Sequence, residues 1–270
     1  MSQRPIFQVD AFTNRRFAGN PAAVVLLESW PADRLLQAIG AENNLAETAF
    51  LVPQADGSHE LRWFTPTVEV PLCGHATLAS ALVLAQEYGL EPPFRFRTRK
   101  SGVLTVTREG SLYTLDLPRR RVDAGGDADA VSRAIGAKVV ETRLVPVDGD
   151  ETVLAVLADA GAVLSLRPDI GAIAALDARS LIVTARGDDV DFVSRYFAPR
   201  HGIDEDPVTG STHCALVPYW AEQLGGTQFT ARQVSPRGGI LHCRLAGDRV
   251  IVAGEGVIYL RGSIVLDGDD

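Results

Sequence analysis

Two halves of the chain repeat each other, and this periodicity constrains the fold more than any single motif does. "RWFTP" at Arg62 to Pro66 returns as "RYFAP" at Arg195 to Pro199, 133 residues later. "CGHATLASALVLAQEYG", ending at Gly89, is echoed by "TGSTHCALVPYWAEQLG", ending at Gly225, at an offset of 136. "SGVLTVTREGSLYTL" is echoed by "GGILHCRLAGDRVIV", with Gly102 matching Gly239 and Gly110 matching Gly247 at an offset of 137. Blocks that keep their order and almost their spacing are the mark of a duplicated architecture. A chain of 270 residues with 46 % hydrophobic side chains can fill one large core or two. The repeat selects two domains, 1–121 and 122–270, with the boundary in the polar, glycine-containing stretch "PRRRVDAGGDADA" from Pro118 to Ala130. The last strand-like run, "VIYLRGSIVL", is long enough to return to the first domain's sheet.

Each half holds several short β-rich runs and one helix. From Ala76 to Ala85 only Thr77 and Ser80 are polar, so apolar groups cover most of the circumference and the helix belongs inside. Its counterpart, Thr212 to Leu224, is similar but carries Pro218, which removes a backbone donor. Gly89 and Gly225 stand where helices end. The third pair of blocks reads as two β-hairpins. The expected architecture is α+β: two pseudo-twofold-related domains, each an antiparallel sheet wrapped around a central buried helix, facing each other across a cleft.

Both central helices start at a glycine, Gly74-His75 in the first half and Gly210-Ser211 in the second. The first turn of a helix leaves backbone N–H groups unpaired and carries partial positive charge, and glycine lets a ligand approach closely. A small carboxylate is the ligand such a pair of loops suits. Ordinary helix capping explains either loop taken alone. The formal net charge of −8 gives no basic face for nucleic acid. No apolar run is long enough to span a bilayer and the first residues lack the pattern of a signal peptide, so the expected setting is cytoplasmic, away from membranes. Three cysteines without a CxxC pair fit a reducing compartment. Cys73 and His75, like His213 and Cys214, lack the usual zinc-ligand spacing, so no metal is expected. Cys214 and Cys243 read as core thiols.

"NNLAETAFLVP", Asn43 to Pro53, has Glu47 immediately before a strand-like run. Asn44 and Glu47 have capping-box spacing, yet no helix follows. A carboxylate entering a buried strand is a candidate general acid/base. In "DEDPVTGSTHC", Asp206 before Pro207 reads either as a turn former or as a group that binds substrate or positions a proton.

The ordered set "DAFTNRRFAGNPAAVV", "NNLAETAFL", "RWFTPTVEVPLCGHATLA" and "DEDPVTGSTHCALVPYW" resembles the phenazine-biosynthesis PhzF-like family, within the diaminopimelate-epimerase-like fold. The resemblance covers nearly the whole chain and implies paired α+β domains with the active site between them. It implies that Glu47 is the general acid/base and that His75, Asp206 and Ser211 bind and orient substrate or relay protons, with Asn20 a weaker candidate for lining the site. The reaction it implies is a cofactor-independent isomerisation of a small carboxylate, as with trans-2,3-dihydro-3-hydroxyanthranilate, in a homodimer. Two alternatives stay open. Racemases of the same fold use one thiol from each domain; Cys73 stands where the first would be, but "PVTG" lacks the second. A non-catalytic protein could retain the site to bind a carboxylate.

Overall fold

The computed structural model describes residues 2–147 and 150–266. The chain divides into two compact units: the described residues up to Asp116 together with those from Ala253 onward, and Leu117–Val252. A single cut at 121/122 therefore misplaces the tail. Strand Gly256–Leu266 pairs antiparallel with Ser2–Ala11, from Ala11↔Gly256 to Ser2↔Leu266, and covers an edge that would otherwise be open.

In the first unit, Ser2–Ala11 also pairs antiparallel with Asn20–Leu26. Asn20–Leu26 runs parallel to Glu47–Pro53, which is antiparallel to His59–Phe64. His59–Phe64 is in turn parallel to Phe94–Thr98, and Val103–Glu109 forms a hairpin with Leu112–Pro118. The expected antiparallel sheet is thus a mixed one. Parallel neighbours need a crossover, and the two crossovers are helices: α1 (Asp33–Asn43) and α2 (Gly74–Tyr88). Leu36 and Ile39 of α1 pack with Val25, Phe50, Val52 and Phe64 on one face of the sheet. Helix α2 lies against the strands 2–11, 20–26, 47–53 and 256–266. Strands covered on both faces read as continuous apolar runs, which is the pattern of "AAVVL" and "TAFLV".

Helix α2 starts at Gly74 as expected, is buried from Gly74 to Leu84, and ends at Gly89 in the left-handed conformation (φ +64°). Leu78, Leu82, Val83 and Leu84 are each within 1 % of full burial, at about 1.5–3 kcal/mol per side chain as an upper estimate. The hydroxyls of Thr77 and Ser80 donate to the carbonyls of Cys73 and Ala76, so the helix buries no unsatisfied hydroxyl. A Cβ at Gly256 would lie 2.7 Å from Leu82 Cδ1, so a larger residue there would force that buried side chain to move for the last strand to run this close to α2.

The second unit repeats the plan pair by pair. Glu141–Val147 is antiparallel to Asp150–Val156, which is parallel to Ser180–Arg186. Ser180–Arg186 is antiparallel to Phe192–Ala198, which is parallel to Gln228–Gln233, itself antiparallel to Gly239–Ala246. Two short helices, α4 (Ala160–Leu164) and α5 (Ile170–Ala174), make the crossover that α1 makes in the first unit, and α3 (Ala128–Ile135), which precedes Glu141–Val147, packs beside α5. They bury Val131, Ile135, Val163 and Ile173 against Leu181, Val183 and Phe197. Helix α6 (His213–Leu224) is the counterpart of α2, buried from His213 to Trp220. Pro218 lacks an N–H, and the Cys214 carbonyl four residues earlier instead accepts the Arg120 amide at 2.9 Å. The fold class is α+β, and the duplication extends to strand order and direction. No described helix is long and apolar enough to cross a membrane.

Candidate active site

The parallel strands 20–26 and 47–53 begin side by side, with Ala22 opposite Glu47. Asn44 adopts the left-handed conformation that closes α1, so it caps the preceding helix and does not open one. Three residues later Glu47 starts its strand. The capping-box reading fails, and Glu47 is left facing the first turn of α2. His75 Nε2 lies 3.3 Å from Glu47 Oε2, with side-chain exposures of 5 % and 12 %. On its other side, His75 Nδ1 is 3.2 Å from Asn20 Nδ2 and 3.4 Å from Cys73 Sγ. In the tautomer in which Nδ1 accepts the Asn20 amide, the ring proton is on Nε2, the nitrogen on the Glu47 side. Burial drives the His75 pKa down to about 3, with the Pro21 carbonyl opposing it only in part, so the ring is neutral at neutral pH. A neutral imidazole borders the carboxylate without pinning it as one half of an ion pair.

Asn20 is fully buried and follows a glycine that permits its placement. Gly19 has φ +65°, and a Cβ there would sit 2.1 Å from the Ala11 carbonyl oxygen. The thiol of Cys73, the N-cap of α2, makes no capping bond, so the helix start draws on it only through its carbonyl, which accepts the Thr77 amide.

In the second unit, Asp206 ends strand Ile203–Asp206, and Gly210 and Ser211 form a 3₁₀ turn that leads into α6. The expected helix start at Gly210 is therefore three residues early. Asp206 is buried, with Thr209 Oγ1 donating to its carboxylate, and Ser211 is half-buried. The loop is held by a residue the sequence did not single out. Gln233, fully buried, accepts the Thr209 amide on its Oε1 and donates through Nε2 to the Asp206 carbonyl and the Thr209 hydroxyl. No local pattern marks it, because its partners lie 24 and 27 residues upstream. Replacing Gln233 with Ala strands the buried Thr209 amide, and urea unfolding is expected to show a loss of about 1–3 kcal/mol. His213, also buried, has its Nδ1 2.9 Å from the Thr209 carbonyl and is driven down to about 4 by burial. The core readings of Cys214 and Cys243 hold: both are buried, and burial pushes the Cys214 thiol up to about 11 and Cys243 higher still.

The duplication exposes an asymmetry. Ala22 faces Glu47 in the first unit, and at the equivalent place in the second Thr152 faces Ser180, their buried hydroxyls 2.8 Å apart. The carboxylate of one repeat is a hydroxyl in the other.

Similarity to known proteins follows the same outline. The family model described as phenazine biosynthesis-like protein matches residues 9–262. A Pseudomonas aeruginosa protein named an uncharacterized isomerase is 48 % identical over 98 % of this chain and 99 % of its own. A crystal structure of a PhzF-family phenazine biosynthesis protein from Enterococcus faecalis superposes with a TM-score of 0.93 at 43 % identity, covering 98 % of this chain and all of that one. A hydroxyproline epimerase from Agrobacterium vitis shares the fold alone, with a TM-score of 0.61 at 13 % identity over 98 % of this chain and 93 % of its own. On the first of these matches and on the motifs that carry it, the chain belongs to the phenazine biosynthesis-like PhzF family.

Proposed function

We propose that the protein is a cofactor-independent isomerase of a small carboxylate metabolite, in which Glu47 removes a proton from one carbon and returns it at another. The observation that carries this reading is the pairing of a mostly buried Glu47 with a neutral His75 in one repeat, at a position where the other repeat has Ser180. A shift of a double bond next to a carboxylate needs one group that can accept and redeliver a proton, and a carboxylate in low-dielectric surroundings suits that work. The His75 ring, 3.3 Å from the Glu47 carboxylate, borders it and limits where it can turn. Asn20 fixes the ring. The amides at Gly74 and Gly210, with Ser211 and Asp206, are assigned to the substrate's carboxylate and its polar substituents. The isomerase names of close relatives and the family match support the reaction class.

A two-thiol racemase is the alternative within the fold. The loop equivalent to Cys73-Gly74 in the second repeat carries Thr209 before Gly210, and that hydroxyl is engaged by Asp206 and Gln233. Its acidity is far too low to replace a thiol. Incubating the wild type with a panel of small carboxylates and amino acids in D2O, followed by mass spectrometry and NMR, separates the readings. Cys73→Ser is expected to retain at least about a tenth of wild-type turnover, because the sulfur is not on the proton's path. Loss of turnover in Cys73→Ser comparable to that in Glu47→Gln would favour the racemase, and no exchange or product from any substrate would favour a carboxylate-binding protein.

A further inference from the structure

We infer that Glu47, Cys73 and His75 form a capture site for a thiophilic divalent cation, zinc in the first instance. One oxygen, one sulfur and one nitrogen from these side chains lie within 4.8 Å of one another. Zinc bonds of about 2.0–2.3 Å place neighbouring ligands of a tetrahedral site roughly 3.3–3.7 Å apart. The 3.3 Å between His75 Nε2 and Glu47 Oε2 is already of that size, and Cys73 Sγ lies 3.4 Å from the other ring nitrogen, Nδ1. An imidazole offers one nitrogen to one metal, so binding at Nε2 requires the Cys73 sulfur to swing from the Nδ1 side by rotation about its Cα–Cβ bond. That sulfur is not used in capping α2. The ligand set is thiolate, imidazole and carboxylate, which favours zinc over magnesium or calcium. A fourth position is left for water, the arrangement of an open zinc site.

The outer shell fits as well. A metal-bound imidazole holds its second nitrogen's proton against an acceptor. Asn20 lies 3.2 Å from Nδ1, and turning its amide over presents the oxygen there in place of the nitrogen. Binding forms a zinc–sulfur bond and releases the thiol proton to solvent, with no change in oxidation state. Sequence spacing missed this site because its third ligand comes from a strand that starts 26 residues before Cys73. The metal would engage the carboxylate that moves the proton, so it acts as an inhibitor of the proposed reaction; the binding itself does not depend on that reading.

The test uses the untagged, metal-stripped full chain titrated with Co2+ as a spectroscopic probe, followed by Zn2+. The expected result is one equivalent of cobalt bound, with a thiolate-to-cobalt charge-transfer band that zinc abolishes. Cys73→Ser should lose the band, Glu47→Gln should weaken cobalt binding by about tenfold or more, and Cys214→Ser and Cys243→Ser should keep it. Circular dichroism establishes that each variant is folded. Absence of the band in the folded wild type, or its survival in Cys73→Ser, overturns the inference.

Discussion

Glu47→Gln is expected to lower turnover on the protein's substrate by about 10²–10⁴-fold, the usual worth of a positioned general acid/base, while leaving the fold intact. Glutamine keeps the length and shape of glutamate and can still face His75 Nε2 across the 3.3 Å gap. What it loses is the ability to hold a proton and release it. Glu47→Asp keeps the carboxylate but withdraws it by about one methylene, and a misplacement of roughly 1 Å costs about 10²-fold. A Glu47→Gln variant that is folded and fully active would remove the carboxylate from the chemistry.

The largest expected effect on stability is at Arg62. Its side chain is 2 % exposed, and it donates from Nε and Nη2 to both oxygens of Glu69 and from Nη1 to Asp33. Its guanidinium also lies 5.2 and 5.0 Å from the ring centres of Trp30 and Phe64. Removing one member of a buried ion pair typically costs about 3–5 kcal/mol. Glu69 and Asp33 are 29 % and 62 % exposed, so water compensates in part, and about 3 kcal/mol is expected for Arg62→Met in urea unfolding. Hydrogen bonds from Arg62 are the main reason that the Glu69 and Asp33 carboxyls are held below their ordinary values. Carboxyls with a lower pKa folded than unfolded add stability above their unfolded values, about 4, and lose it as pH falls through the folded ones. Wild-type stability should therefore drop with acid below about pH 4, and Arg62→Met should flatten that slope.

Arg195 is the counterpart of Arg62 in the second unit, with both Glu205 oxygens as acceptors and the Leu166 carbonyl in place of a second carboxylate. This is why the repeat was legible at "RWF" and "RYF": the duplicated feature is a buried arginine with a carboxylate on the next strand. The buried helices were legible for a similar reason, since a segment apolar on all sides has nowhere else to go. Other features depend on contacts between distant segments. Helix α1 has only Leu36, Ile39 and Gly40 buried, and without it the parallel pairing of strands 20–26 and 47–53 was invisible, so the sheet read as antiparallel. The tail's return to Ser2–Ala11 is a pairing across most of the chain; the run's length allowed that return, but its strand partner and register come only from the fold. Glu47 stood out because a carboxylate opens an apolar strand, whereas Gln233 did not, because its sequence neighbours say nothing of the loop it holds. Ser180 became informative only once the strand register set it opposite Glu47 in the duplicated plan.

The central claim is that one carboxylate both removes and returns the proton, and the most direct measurement is the isotopic fate of that hydrogen. With substrate deuterated at the carbon that loses its proton, run in H2O and read by NMR and mass spectrometry, a single Glu47 carboxyl predicts that part of the deuterium reappears at the new carbon, on the face from which it left. Complete replacement by solvent hydrogen delivered to the opposite face would contradict the account and require a second base.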